Sequence, residues 1–502
     1  MDKVFQNRLV LEILEKYKVI WSIEHAMALL SWDSETYMPE DGVGERSVAV
    51  SQLDLLKQKF ITEEGFIKLV DRASEEKDLN EYELGLLRVL NRMIRIYRLL
   101  PPRLIEELAK VTEEAKIVWR NAKLSNNFKA FEPYLEKIFS LSRECADYLG
   151  YREHPYDALL DLYEEGLTSR DVTLIFDSIK DRLKTVLEKI ESEKKFSERH
   201  PLEDIEYDRR AMEKVNFWVA EKLGYDRKRF RIDVSAHPFT IHMGIRDARI
   251  TTRYEGKDFK STLFSVIHEY GHALYGLQHN EAFMFTPLAN GASLGVHESQ
   301  SRFWENIVGR SMQFCTAIHP FLKENLSFLE KYSVEDIYRY FNIVRPTLIR
   351  VDADEVTYNF HILLRYELER LTIAGEVKVQ DLPTLWNSMI EDVLGIRPKT
   401  DSEGVLQDIH WSLGSIGYFP TYTIGTILSA QLRSHILKDI PNFYQKISSL
   451  EFDEIKEWLK NKIHYWGAMY PPKELLKRML GEELNPAYFI SYLEKKYLGS
   501  SL

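Results

Sequence analysis

His268 and His272 stand four residues apart in the stretch His268-Glu269-Tyr270-Gly271-His272. On a helix such a pair projects from one face, about one turn apart. Two imidazoles at that spacing reach one ion without bending the helix, because zinc takes imidazole nitrogen at roughly 2.0–2.1 Å. Glu269, one residue round, stands where a base can reach a water beside that ion. The chemistry this spacing points to is metal-assisted hydrolysis of a peptide bond. Gly271 costs a helix about 1 kcal/mol relative to alanine. Its presence predicts that something approaches the backbone closely there. Ser261 and Thr262 are expected to cap the helix, and Leu263, Phe264, Val266 and Ile267 to pack it.

A catalytic site of this kind takes a third protein ligand and leaves one position open. A histidine six residues on is not available, since that position is Gln278. The downstream carboxylates are Glu281, Glu298 and Glu305. Residues 286–295 carry Pro and Gly breakers and read as a loop. A helix then opens with Val296-His297-Glu298-Ser299-Gln300-Ser301-Arg302. Glu298 thus sits early on a second helix able to return to the first, and is the expected ligand. His297 is expected to support a ligand or to face substrate.

The elements that must position these groups read mostly as helix. Stretches 5–28, 80–98, 104–122 and 169–192 repeat apolar residues every three or four positions, with Lys and Glu between. Strand alternation is scarce and is best at 247–254. Periodicity returns from 296 and over 352–370. The charged run 188–200 is the best internal boundary, but such runs usually lie on solvated helix ends, the preferred reading. The expectation is a mainly α architecture with a small sheet mid-chain, in one catalytic unit over 1–502, with two lobes parting near 190–205.

Composition sets outer bounds. The chain has 502 residues, 44% hydrophobic, enough for a sizeable core. A formal net charge of −11 argues against nucleic-acid and anionic-membrane partners, which need clustered positive charge. Two distant cysteines, Cys145 and Cys315, exclude a disulfide framework and a Cys-based zinc site. No basic-then-apolar leader opens the chain at Met1–Gln6, and no stretch nears the roughly 20 apolar residues of a membrane span. Cytoplasmic residence is the expectation.

HEYGH followed by HESQSR resembles the carboxypeptidase Taq family of metallocarboxypeptidases. The likeness extends through His237-Pro238-Phe239 (its HPF loop), DARIT at 247–251 (DxRxT), IRVDAD at 349–354 (IRxxAD) and GVLQDIHW at 404–411 (GxxQDxHW). Trp32-Asp33 and Met38-Pro39 extend it toward the start. The resemblance implies a two-lobed helical fold with a deep groove and a small sheet near the metal, like that of neurolysin and angiotensin-converting enzyme. It also implies a homodimer, one zinc or cobalt ion per chain, and broad release of C-terminal residues from peptides. His237 is carried over as substrate-facing.

Two further roles remain to be filled. The oxyanion of peptide hydrolysis needs aimed donors. The segment His410-Trp411 to Tyr418-Phe419-Pro420-Thr421-Tyr422 offers an imidazole and two phenols. Similarity to the His-then-Tyr pattern of angiotensin-converting enzyme favours His410 and Tyr418, with Tyr422 the competitor. An exopeptidase must also bind a free carboxylate, which a guanidinium does through two parallel hydrogen bonds. Arg350 is the first choice and Arg249 the second. Asp352, Asp354 and Glu355 lack the glycine of a calcium loop, and are expected to hold Arg350 or to orient ligand histidines. Two rivals stand beside this reading. One is an endo-acting oligopeptidase with the same metal site. The other is a zinc-binding scaffold without activity, which retention of Glu269 argues against.

Overall fold

The structure, a computed structural model, describes residues 4–499. Met1–Lys3, part of the leader reading above, and the last three residues lie outside it. The periodic stretches become helices, although 352–370 is α-helical only from Tyr358, and local chemistry starts them. Asn7 accepts the Leu9 and Val10 N–H groups to open helix Arg8–Thr36. Asn80 with Glu83, and Thr168 with Asp171, form reciprocal caps at the starts of Glu81–Leu99 and Ser169–Glu193. The charged run is a solvated helix end, as expected. Helix Ser169–Glu193 stops there, and Lys194 takes a left-handed φ of 59°.

The described residues hold twenty α-helices and one three-stranded sheet. The strand order is β1-β3-β2, with β1 Phe230–Val234, β2 Thr240–Gly244 and β3 Asp247–Thr252. β1 runs parallel to β3, and β2 antiparallel to it, so β2 is an edge. The sheet packs on helix Lys260–Leu277, which carries HEYGH. One apolar core runs from Phe5 to Tyr497. Both cysteines are free and buried within it. No helix among the described residues is long and apolar enough to cross a membrane.

The expected cap of the HEYGH helix is not found. The helix begins at Lys260 after Phe259, without a side-chain cap. Tertiary partners claim Thr262 instead: it is buried and accepts from Asn216 at 2.9 Å, with Thr252 Oγ1 at 3.0 Å. The Ser261 N–H goes to the Asp258 carbonyl.

Candidate metal and active site

Helix Lys260–Leu277 presents His268 and His272 on one face, and helix Leu294–Arg302 brings Glu298 to them. Glu298 Oε2 lies 3.6 Å from His268 Nε2 and 3.3 Å from His272 Nε2. One donor atom from each of the three falls within 4.8 Å of the others. The outer nitrogens are held from behind: His268 Nδ1 is 2.8 Å from Glu305 Oε2, and His272 Nδ1 is 2.6 Å from His297 Nδ1. Both rings therefore turn Nε2 inward, as metal-ligating histidines do. Two imidazoles and one carboxylate form a donor set that fits a divalent ion of the zinc type.

The two rival carboxylates are elsewhere. Glu281 pairs with Arg246 on the surface, and Glu305 sits behind His268. A π-helical stretch, Phe303–Gly309, carries Glu305, a local widening often found at functional sites. Arg302 ties the two carboxylates together, donating to Glu298 Oε1 at 2.7 Å and Glu305 Oε2 at 3.2 Å. Burial pushes the Glu298 carboxyl up, but Arg302, His268 and His272 outweigh it and hold it well below the usual carboxylate range. Burial lowers His268, yet the Glu298, Glu305 and Glu269 carboxylates leave it raised.

Glu269 is buried, and its Oε2 accepts the Thr240 hydroxyl at 2.6 Å. Thr240 opens β2, so the sheet edge orients the acid beside the ligand triangle. Gly271 is where two helices nearly touch. A Cβ there would lie 2.5 Å from the Gln300 carbonyl oxygen and 2.7 Å from Ser301 Cα. Helix Pro420–Asp439 presses on the other side, where a Cβ at Gly425 would lie 2.6 Å from Glu298 Cβ. The close approach expected at Gly271 is thus the helix that delivers the third ligand.

A second group gathers around Arg350, which is only 7% exposed. Its Nε donates to Asp408 Oδ1 at 2.9 Å and its Nη1 to the Tyr358 hydroxyl at 2.8 Å. The acids expected beside it have other work. Asp354 accepts the Val356 and Thr357 N–H groups ahead of helix Tyr358–Ala374, and Glu355 pairs with Lys496. Neither holds Arg350 or a ligand histidine. Chain proximity lost here to other partners: Asp354 closes the turn before the helix, and Glu355 is taken by Lys496, Tyr492 and Tyr497.

His410 Nε2 lies 3.2 Å from the Tyr422 hydroxyl, and its ring is 5.3 Å from that of Tyr418. The Tyr418 and Tyr422 rings are 5.3 Å apart, and the Arg350 guanidinium is 5.2 Å from the Tyr422 ring centre. Burial pushes His410 down to about 4, so the ring is neutral near pH 7. Burial, with the Glu298 charge adding to it, pushes the Tyr418 phenol up to about 12. Arg249 is engaged otherwise: both Nε and Nη2 bind Asp247, at 3.0 and 2.8 Å, and its guanidinium stacks 4.7 Å over Trp32. His237 is exposed, and its carbonyl accepts the Ser235 hydroxyl at 2.6 Å.

Sequence reasoning missed Thr240, Arg302, Tyr358 and Asp408. Asp408 and Arg302 lie inside quoted motifs, which marked their places but not their partners. Thr240 and Tyr358 carry no local signal.

The chain matches the family described as carboxypeptidase Taq (M32) metallopeptidase over residues 12–497. It is 56% identical over 499 residues to thermostable carboxypeptidase 1 of Pyrococcus furiosus, covering 99% of this chain and 100% of that one. Carboxypeptidase 1 of Bacillus subtilis is 36% identical, with 97% of each chain covered. The solved structure of Pyrococcus furiosus carboxypeptidase superposes with a TM-score of 0.97, covering 98% of this chain and 100% of that one at 56% identity. For Trypanosoma cruzi metallocarboxypeptidase 1 the TM-score is 0.94 at 32% identity, with 98% and 99% covered. With fold, ligand triangle and near full-length relatives in agreement, this chain belongs to the carboxypeptidase Taq (M32) family and is a metallocarboxypeptidase.

Proposed function

We propose that the enzyme trims peptides with Arg350 holding the terminal carboxylate and Glu269 moving the protons. The observation that carries this is the state of the Arg350 guanidinium. Nε and Nη1 are committed to Asp408 and Tyr358, which lock the side chain, while Nη2 has no hydrogen-bond partner among the described residues. A buried, locked cation with an unused N–H group, beside two phenols, suits an anionic substrate terminus.

A divalent ion held by His268, His272 and Glu298 would supply Lewis acidity and acidify water. Glu269, aimed by Thr240, accepts a proton from the attacking water and passes it to the leaving amine. The Tyr418 phenol, protonated throughout the working range, donates to the oxyanion together with His410. Tyr422, hydrogen-bonded to His410 and lying under Arg350, lines the place of the terminal residue. His237 and Arg249 are assigned to the groove wall.

Finer points follow from chemistry. The N,N,O donor set supports zinc, with cobalt as its close substitute. Exposed Val43, Val48, Leu55 and Leu56 on helix Val43–Ile61 support a homodimer. The continuous core supports a single catalytic unit, and the unpaired cysteines suit the cytoplasm.

The test is amino-acid release from an unblocked peptide and its C-terminal amide, with and without chelator. Glu269→Gln protein is assayed alongside. Release should require the free acid and stop with chelator. Metal-loaded Glu269→Gln should keep its ion and lose about 10²–10⁴ in turnover. Near-normal turnover in that mutant would remove Glu269 from the mechanism, and equal cleavage of the amide would remove the exopeptidase anchor.

A further inference from the structure

Helix Tyr358–Ala374 carries three buried polar side chains at Tyr358, Arg365 and Glu369. Their spacings of seven and four put them on one helical face. Tyr358 accepts from Arg350, and Arg365 donates to Asp408 Oδ2 at 2.6 Å. Glu369 is wholly buried and makes no contact with the ligand triangle. Its Oε1 accepts the Trp411 indole N–H at 2.8 Å. Its Oε2 accepts the Gly417 backbone N–H at 2.9 Å and the Tyr156 hydroxyl at 2.6 Å.

Those two loop donors have particular addresses. Trp411 immediately follows His410, and Gly417 immediately precedes Tyr418. One carboxylate therefore grips both ends of residues 411–417, the segment joining the two oxyanion donors. Trp411 is further wedged between Phe139 and Trp386, each with its ring centre 5.9 Å away. The third donor, Tyr156, lies on helix Pro155–Leu160 and fixes the carboxylate from a separate element.

We propose that Glu369 is a positioning residue, whose buried carboxylate sets the placement of His410 and Tyr418 by holding the segment between them at both ends. This rests on the reading in which those two residues face the reacting carbonyl. A shift of about 1 Å in such donors is enough to cost about a hundredfold in rate. Glutamine cannot replace the carboxylate, because its amide NH₂ would face an N–H or O–H donor instead of accepting from it.

The test uses the metal-loaded enzyme and four variants: Glu369→Gln, Tyr418→Phe, His410→Ala and the Glu369→Gln/Tyr418→Phe double mutant. Glu369→Gln should lower kcat by about ten- to a hundredfold. KM for a free-acid peptide should move less than about twofold, since Glu369 bonds Trp411, Gly417 and Tyr156 while Arg350 is held by Asp408 and Tyr358. Bound metal should be unchanged. In the Tyr418→Phe background the same change should cost far less, as expected of residues acting through one another. If Glu369→Gln fails to fold, Trp411→Phe carries the same test, removing one donor while keeping an aromatic ring. Full additivity with Tyr418→Phe, or a raised KM at unchanged kcat, overturns the proposal. Unchanged kcat in both Tyr418→Phe and His410→Ala removes the reading of those donors, and the proposal with it.

Discussion

A guanidinium can hold a substrate carboxylate only with N–H groups the protein leaves free. Arg249 spends Nε and Nη2 on Asp247. Each keeps one terminal nitrogen, but Arg350 spends Nε and Nη1 on Asp408 and Tyr358 and lies 5.2 Å from the Tyr422 ring centre, whereas Arg249 stacks on Trp32. A charge-assisted hydrogen bond contributes roughly 1.5–3 kcal/mol, and about 1.4 kcal/mol is tenfold. Arg350→Ala should thus lower kcat/KM on a free-acid peptide by about ten- to several-hundredfold. It should also erase the preference for acid over amide. Arg350→Lys should recover only part of the loss, because an ammonium cannot reproduce the planar donor pair. The comparison of matched acid and amide peptides decides this, and a mutant that keeps the full acid preference passes the role to Arg249.

Two helices crossing at Gly271 set the distance between the histidines and Glu298. On propensity alone Gly271→Ala should gain about 1 kcal/mol. Packing decides otherwise. The new methyl would meet the backbone of Gln300 and Ser301 at 2.5–2.9 Å, and backbone cannot rotate away as a side-chain tip can. Overpacking of this kind costs about 1–3 kcal/mol, and the helix it displaces carries the third ligand. Gly271→Ala should therefore lower the denaturant midpoint and weaken metal binding together, read by urea unfolding and equilibrium dialysis. A more stable mutant with unchanged metal affinity would show that the second helix yields freely.

Across the whole molecule, parts distant in sequence meet at the start of the Glu298 helix. Glu164, only 3% exposed, accepts the Gly295 N–H there, and the Tyr163 carbonyl accepts that of Leu294. Burial pushes the Glu164 carboxyl from its ordinary 4.5 up to about 7. Below about pH 4.5 folded and unfolded chains both keep this proton, and its contribution to stability is fully present. As pH rises the unfolded chain ionises first, and the contribution is lost by the time pH passes about 7. The loss amounts to about 3 kcal/mol at most. Urea midpoints across pH 5–8 should accordingly fall more steeply for the wild type than for Glu164→Gln. Parallel curves would mean that the carboxyl ionises alike in both states.

Spacing in the chain was sufficient for the helices, for the His268/His272 pair and for Glu298 as the third donor, because a four-residue interval and a helix start are local facts. The strand expected at 247–254, observed as Asp247–Thr252, and the close approach at Gly271 were legible for the same reason. What Arg350 binds was not. Asp352 and Asp354 are near it in sequence, yet Asp354 closes a turn on the Val356 and Thr357 N–H groups, and the partner is Asp408, brought in by the fold. Thr240 on Glu269 and Glu305 on His268 likewise join residues 29 and 37 apart. The clamp of Glu369 on Trp411 and Gly417 spans still more chain. A sequence declares which side chains share a helical face. Which groups end up opposite that face depends on how helices pack, and burial then decides which of them must pair.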